Sequence, residues 1–210
     1  TNEALWKNLP DFVKSQENTI CVADGSWSMT SRVGNTRISC LDVANALAIY
    51  FSERSSGQFK DKYITFSQRP QFVDLSKGKS LKEKLEIAFR YNECANTNVE
   101  AVFDLILNTA VKKKMSQDEL PKNILILSDM EFDSCATCGT ASRSYGYYGY
   151  RADKPSKTLF DEIAAKYAEY GYKMPRLIFW NICSRTGTIP VRENELGVAL
   201  VSGFSPSIAR

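Results

Sequence analysis

The fold is best indicated by one segment, Thr19-Ile20-Cys21-Val22-Ala23-Asp24-Gly25-Ser26-Trp27-Ser28-Met29. From Thr19 to Ala23 it is a largely apolar run, typical of a strand in a parallel sheet that is covered on both faces. Asp24, Ser26 and Ser28 then follow at alternate positions. Alternate residues of an extended segment point the same way, so we expect these side chains to converge on one point.

Apolar runs alternate with amphipathic stretches along the rest of the chain, which is the pattern of an α/β fold with a largely parallel sheet. Helices are predicted over about 39–54, 80–90, 99–113 and 159–170, and further strands over 63–66, 71–75, 124–127, 177–182 and 198–201. The gap before 71–75 is too short for a helical crossover, so that strand should pair antiparallel at an edge.

The expected fold is a Rossmann-like three-layer α/β sandwich around a mostly parallel six-stranded sheet with one antiparallel edge strand. The expected sheet order is edge, second, first, fourth, fifth and sixth strand. The length of 210 residues fits one domain, with 1–18 as an N-terminal extension and 19–210 as the domain. Ser205-Pro206 is typical of a helix start, so a final helix is expected to begin there and to be truncated at Arg210.

Composition excludes several classes of protein. Hydrophobic residues make up 43% and charged residues 24%, which are ordinary globular values. The net charge of +3 is too small to indicate nucleic-acid binding by bulk electrostatics. The sequence has no histidine, which excludes a Ser-His-Asp or Cys-His nucleophile and histidine-ligated zinc. No apolar run approaches the ~18 residues of a membrane span. We expect a cytoplasmic protein that does not bind membranes.

Two further polar segments are predicted to join Asp24, Ser26 and Ser28. Asn96-Thr97-Asn98 opens a predicted helix, and Ser128-Asp129 ends a predicted central strand. If that strand adjoins the first strand, Asp129 faces Asp24 across the crevice where doubly wound sheets bind ligands. Carboxylate and hydroxyl oxygens suit a hard divalent cation such as Mg²⁺.

This ordered set resembles the metal-ion-dependent adhesion site (MIDAS) of von Willebrand factor A (VWA) domains. The resemblance covers five positions: Asp24, Ser26, Ser28, Thr97 and Asp129. It implies Mg²⁺ or Mn²⁺ as the cofactor, and a non-catalytic module that captures an exposed Asp or Glu of a protein partner. Phrases such as LSDMEFD (127–133) are similar to a bacterial and phage branch that itself resembles the A domain of the Ro ribonucleoprotein autoantigen.

The site departs from the family pattern at Trp27, where the family usually has glycine between the serines. Trp27 is therefore a candidate ligand contact. The segment from Gly139 to Arg151 is rich in tyrosine, glycine and serine, and it is either a surface loop or a contact surface. Its candidate contact residues are Tyr145, Tyr147 and Tyr148.

The cysteines allow three interpretations. Cys21 and Cys40 are expected to be buried packing residues. The other four are predicted at the same end of the sheet as the metal site: Cys94, Cys135, Cys138 and Cys183. They are interpreted as free thiols, with a zinc site or a redox pair as alternatives.

Two other functions remain open at this point. Two carboxylates and a metal after parallel strands also serve phosphoryl transfer, although the chain has no Gly-rich phosphate loop. The Ro-like resemblance and the Tyr/Arg segment raise the possibility of an RNA-associated module, with nucleic acid reached through a larger assembly.

Overall fold

The computed structural model describes residues 2–12, 18–92, 98–129, 157–182 and 198–203. The strands are β1 (Thr19–Asp24), β2 (Lys62–Phe66), β3 (Phe72–Asp74), β4 (Asn123–Ser128), β5 (Arg176–Asn181) and β6 (Val198–Ser202). They form one six-stranded sheet in the order β3-β2-β1-β4-β5-β6. β3 pairs antiparallel with β2, and the other neighbours pair parallel. The predicted fold class and strand order are confirmed.

The helices are α1 (Asn2–Lys7), α2 (Cys40–Arg54), α3 (Leu81–Phe89), α4 (Val99–Lys113) and α5 (Lys157–Glu169). Short 3₁₀ helices occur at Trp27–Thr30, Gly57–Phe59 and Gln117–Glu119. Helix starts follow their capping residues. The Ser39 hydroxyl accepts from the Asp42 N–H at 3.1 Å, and the Asp42 carboxylate accepts from the Ser39 N–H at 2.9 Å. Such caps satisfy backbone N–H groups that have no partner inside the helix.

Alternate residues of the central strands divide the core into two layers. Ile20, Val22, Ile124 and Ile126 pack on the side of α4 and α5. Cys21, Ala23, Leu125 and Leu127 pack on the side of α2 and α3. Each fully buried aliphatic side chain contributes about 1.5–3 kcal/mol relative to exposure. Burial on both faces explains why β1 and β4 are continuously apolar in sequence. Their parallel pairing places the polar residues at their C-terminal ends side by side, at the end of the sheet that is called the metal edge below.

A tryptophan side chain links β5 to the residue that follows β6. Trp180 in β5 is 1% exposed, and its Nε1–H donates to the Gly203 carbonyl at 2.6 Å, directly after β6. The N-terminal extension also lies on the α2 side of the core, where Trp6, Leu9 and Phe12 pack. The expected helix from Ser205 onward lies outside the described residues. Among the described helices, none is both long and apolar enough to cross a membrane.

Candidate metal site

Asp24 is the last residue of β1, and two neutral donors hold its carboxylate. The Ser128 hydroxyl donates to Oδ2 at 2.6 Å, and the Ser26 backbone N–H donates to Oδ1 at 2.8 Å. Ser128 ends β4, and pairing of Ala23 with Leu127 brings Ser128 beside Asp24. The carboxylate is therefore fixed between its own turn and the neighbouring strand.

Ser26 and Ser28 converge, but not through an extended segment as the sequence suggests. Ser26 is extended (φ −60°, ψ 161°), and a 3₁₀ helix begins at Trp27, where the Met29 N–H donates to the Ser26 carbonyl at 3.1 Å. This turn brings the hydroxyl oxygens of Ser26 and Ser28 to 3.0 Å from each other. The convergence was correctly predicted, and the geometry assumed for it was wrong because the chain turns as soon as it leaves the sheet.

Both carboxylates of the site are buried. Asp24 is 1% exposed and Asp129 is 3% exposed. The pKa of Asp24 is raised to about 6, mainly by burial and to a smaller extent by the charge of Asp129, although hydrogen bonds from Ser128 and Ser26 act to lower it. Taking an ionised carboxylate out of water is costly unless an opposite charge or hydrogen bonds compensate. This pair therefore lies in a place where a cation would be strongly stabilising.

The donor set fits a hard divalent cation. It consists of two carboxylates and two hydroxyls at one sheet edge, and oxygen ligands are those that Mg²⁺ and Mn²⁺ prefer. No group of three or more His, Cys, Asp or Glu side chains is gathered for a metal within the described residues. Any metal held at this edge would therefore use serine hydroxyls as well as carboxylates.

Trp27 lies at this edge between the two serines, and its side chain is 77% exposed. A largely exposed indole offers apolar area for contact with a ligand. The contact role of Trp27 stays a prediction.

The structure brings together most of the predicted metal ligands. Asp24, Ser26 and Ser28 lie side by side, and the charge of Asp129 acts on Asp24. Thr97 lies outside the described residues, although α4 begins at Val99 as predicted. The other candidates outside the described residues are Tyr145, Tyr147, Tyr148, Cys94, Cys135, Cys138 and Cys183.

The two described cysteines have the predicted packing role. Cys21 and Cys40 are both buried. Burial raises the pKa of the Cys21 thiol well above its ordinary value. A buried thiol of raised pKa is a poor nucleophile, so Cys21 contributes packing to the core.

Ser128 is the site residue that sequence reasoning missed. It was interpreted only as the end of a strand, whereas its hydroxyl makes the shorter of the two hydrogen bonds described for the Asp24 carboxylate. The signal was available: in adjacent parallel strands, polar residues that end both strands face each other when the strands are in register. A serine directly before Asp129 meets that condition once β1 and β4 are neighbours.

Comparison with known proteins gives the chain a family. The model of a family described as Domain of unknown function (DUF7788) matches residues 18–210. "Uncharacterized protein L728" of Acanthamoeba polyphaga mimivirus is 30% identical over 212 residues, which cover 99% of this chain and 33% of the viral protein. The chain thus spans about a third of the length of this relative.

Solved structures give the fold type. The Ro (RSR) protein of Deinococcus radiodurans superposes with a TM-score of 0.59 at 15% identity, over 97% of this chain and 35% of that one. The SpRpn10 VWA domain gives a TM-score of 0.44 at 12% identity, over 92% of this chain and 91% of that one. Together with the strand order, the Ro likeness gives the chain a VWA-like α/β fold.

Proposed function

Since the chain belongs to the DUF7788 family and has a VWA-like fold, we propose that it is a protein-binding module that depends on a divalent metal ion. The cation is Mg²⁺ or Mn²⁺, held at the edge formed by Asp24 and Asp129. The partner is a protein that presents an exposed Asp or Glu side chain to this edge.

The observation that carries this proposal is the burial of Asp24 beside Asp129. Asp24 is 1% exposed, and its hydrogen-bond donors, Ser26 and Ser128, are neutral. A divalent cation would compensate both buried negative charges at once, whereas the hydrogen bonds that Asp24 accepts from Ser26 and Ser128 bring no positive charge. Burying the two carboxylates therefore destabilises the fold when no cation is bound, and a bound cation would offset that cost.

Each residue has a specific part in this proposal. The oxygens of Asp24, Ser26, Ser28 and Asp129 hold the cation, and Thr97 remains a predicted fifth ligand. Ser128 fixes the Asp24 carboxylate through its 2.6 Å hydrogen bond. When bound, the cation supplies positive charge that attracts an acidic side chain. Trp27, 77% exposed, offers apolar contact area to the same partner.

A binding role is favoured over catalysis because the described part of the site offers no general base besides the two carboxylates. The sequence contains no histidine, and both site carboxylates are assigned to the cation. We therefore expect no hydrolysis of p-nitrophenyl phosphate with Mg²⁺ or Mn²⁺. Turnover that disappears in Asp129→Ala would replace this proposal with a metal-dependent phosphatase.

The test of the metal uses titration calorimetry and thermal unfolding with Mn²⁺ and Mg²⁺ against EDTA. The wild type should bind one ion and gain melting temperature, and the double variant Ser26→Ala/Ser28→Ala should lose at least tenfold in affinity. The chain supplies a matched control in Asp74-Leu75-Ser76, where the Ser76 N–H donates to Asp74 Oδ1 at 2.9 Å in the same type of turn. Ser76→Ala should leave metal binding unchanged. Absence of heat and of a thermal shift at millimolar metal would overturn the proposal.

The acidic partner is tested with Mn²⁺ as the probe. Water-proton relaxation reports how much water contacts bound Mn²⁺. A glutamate-rich peptide should lower that relaxation, and the matching glutamine peptide should not. Equal effects of the two peptides would contradict carboxylate capture while leaving metal binding intact.

A further inference from the structure

The N-terminal segment Asn2–Phe12, here called the strap, lies on the outer face of α2 and α3, away from the metal edge. Its contact residues recur every third position: Glu3, Trp6, Leu9 and Phe12. The strap begins with the six-residue helix α1, which has no buried residue. A helix this short is not stable by itself in water, so its conformation depends on the surface beneath it.

The first half of the strap is held by an acid and an indole. The Glu3 carboxylate accepts from the Leu81 N–H at 2.8 Å, at the first turn of α3. The Trp6 Nε1–H donates to the Glu53 carboxylate at 3.1 Å, and Lys84 Nζ donates to the other oxygen of Glu53 at 2.8 Å. The face therefore offers a helix N-terminus for an acidic side chain and a carboxylate for an indole.

The second half of the strap is held by Tyr50 of α2. The Tyr50 hydroxyl donates to the Pro10 carbonyl at 2.7 Å and accepts from the Phe12 N–H at 2.8 Å. The Trp6 ring meets the Tyr50 ring edge-on at a centroid distance of 6.3 Å, and the Phe12 ring lies at 6.4 Å. Tyr50 is 1% exposed. Arg54 lies over the Tyr50 ring at 3.7 Å, and the strap occupies the hydroxyl, so the hydroxyl would become available to another segment if the strap moved away.

The strap and the face are complementary in charge, and the strap does not fill the face. A cleft of about 410 Å³ remains between them. The face contributes three cations and one anion to its lining, namely Arg54, Lys79, Lys84 and Glu53. Lys84 also pairs with Asp61 at 3.6 Å, so these residues together keep a net excess of one positive charge, which suits an acidic segment. The family match begins at residue 18, beyond the strap, so the face belongs to the family domain and the strap precedes it.

We propose that the α2–α3 face is a docking site for an acidic, aromatic peptide segment of a partner protein, and that the strap occupies it as an internal competitor. The recognition pattern is the strap's own: an acid, an aromatic residue and two apolar residues spaced by three. Docking of an amphipathic segment into a groove between helices is a common form of peptide recognition. The site is separate from the metal edge and does not depend on its function.

The experiment uses the full chain and a fluorescein-labelled synthetic peptide TNEALWKNLPDF, the sequence of residues 1–12. In the wild type the attached strap competes at high effective concentration, so binding should be weak. In Trp6→Ala, whose own strap is weakened, the peptide should bind at least tenfold more tightly. Adding Tyr50→Phe to Trp6→Ala should lower the affinity for the peptide about tenfold, because both hydrogen bonds of the Tyr50 hydroxyl are lost. A peptide carrying Trp6→Ala is the ligand control.

Three results would overturn the proposal. The peptide fails to bind folded Trp6→Ala protein; the affinity changes with EDTA, which would move the peptide to the metal edge; or the wild type forms concentration-dependent dimers, which would make a second copy the occupant. Hydrogen exchange on the wild type is an independent check. The Leu9 and Phe12 amides should exchange at least a hundredfold faster than those in the middle of α2, and equal protection would show that the strap does not open separately.

Discussion

Replacing the buried carboxylate of Asp24 by an amide should stabilise the metal-free protein. Burial raises the pKa of Asp24 from 3.8 to about 6. At neutral pH this pKa difference lowers the free energy of unfolding by about 3 kcal/mol, because each pKa unit is worth about 1.4 kcal/mol. In Asp24→Asn, Oδ1 still accepts from the Ser26 N–H, and Nδ2 donates to the Ser128 oxygen after that hydroxyl rotates. We therefore expect a gain of about 1–3 kcal/mol, or about 2–12 °C for a chain of this length.

The gain should depend on pH in a defined direction. The folded-state pKa of Asp24 lies above the unfolded value, so the folded protein holds more protons between about pH 4 and pH 6. Metal-free wild type consequently loses stability from this group as pH rises through that window, while Asp24→Asn does not. The difference between the two proteins should be largest at pH 7.5 and should vanish near pH 4.

The assay is urea unfolding in EDTA at pH 7.5, 6, 5 and 4, followed by thermal unfolding at pH 7.5 with Mg²⁺. Asp74→Asn is the control, because Asp74 forms the same turn with Ser76 and is exposed. Hydrogen bonds from the Ser76 side chain and N–H lower the pKa of Asp74, so this amide should be neutral or slightly destabilising at pH 7.5. Mg²⁺ should stabilise the wild type and have no effect on Asp24→Asn. A destabilised Asp24→Asn in EDTA, or a difference that persists at pH 4, would refute the reasoning.

Three further predictions concern single contacts and the cysteines. Ser128→Ala removes the hydroxyl that donates to buried Asp24 at 2.6 Å, so it should lower the free energy of unfolding in urea by about 1–3 kcal/mol at pH 7.5 and by less at pH 5. An equal loss at the two pH values would contradict the assigned contact. Trp180→Phe loses the hydrogen bond to the Gly203 carbonyl and some core volume, so it should lower the free energy of unfolding by about 2–3 kcal/mol. A loss below about 0.5 kcal/mol would show that this hydrogen bond does not stabilise the fold. Cys135→Ser/Cys138→Ser should keep the melting temperature within about 3 °C, and a drop above about 10 °C would implicate zinc or a disulfide.

The sheet was predictable because its strands are buried on both faces. Continuous apolar runs such as those in β1 and β4 leave little ambiguity, and the short gap before β3 forces an antiparallel edge. The helix starts were also predictable, since Ser39, Ser80 and Asn98 are side-chain caps for α2, α3 and α4. Local capping chemistry acts within one turn, so it is visible in the sequence.

The details of the site were less predictable because they depend on neighbours distant in sequence. The convergence of Asp24, Ser26 and Ser28 was predicted from their spacing, whereas the 3₁₀ turn at Trp27 was not. Apolar periodicity carries no signal for a four-residue turn. Ser128 was missed because its role depends on the register between two strands.

The strap was predicted as an extension, and its docking was not. Glu3 and Trp6 contact residues that lie 78 and 47 positions away along the chain. No short-range pattern reports such contacts. The half-buried aromatic residues of the segment are a weak hint at best, because single exposed apolar residues are common on protein surfaces.

The hydrogen bond between Ser128 and Asp24 joins residues 104 positions apart. The site therefore exists only after β1 and β4 have paired, and long-range pairing of this kind is slow compared with local structure formation. A fragment that ends before β4 contains the serine turn without its partner strand and cannot complete the site. A cation that binds the native state alone leaves the unfolded chain unchanged, so its effect would appear as slower unfolding and not as faster folding. For this protein, the metal would prolong the lifetime of the folded chain without guiding the chain to its fold.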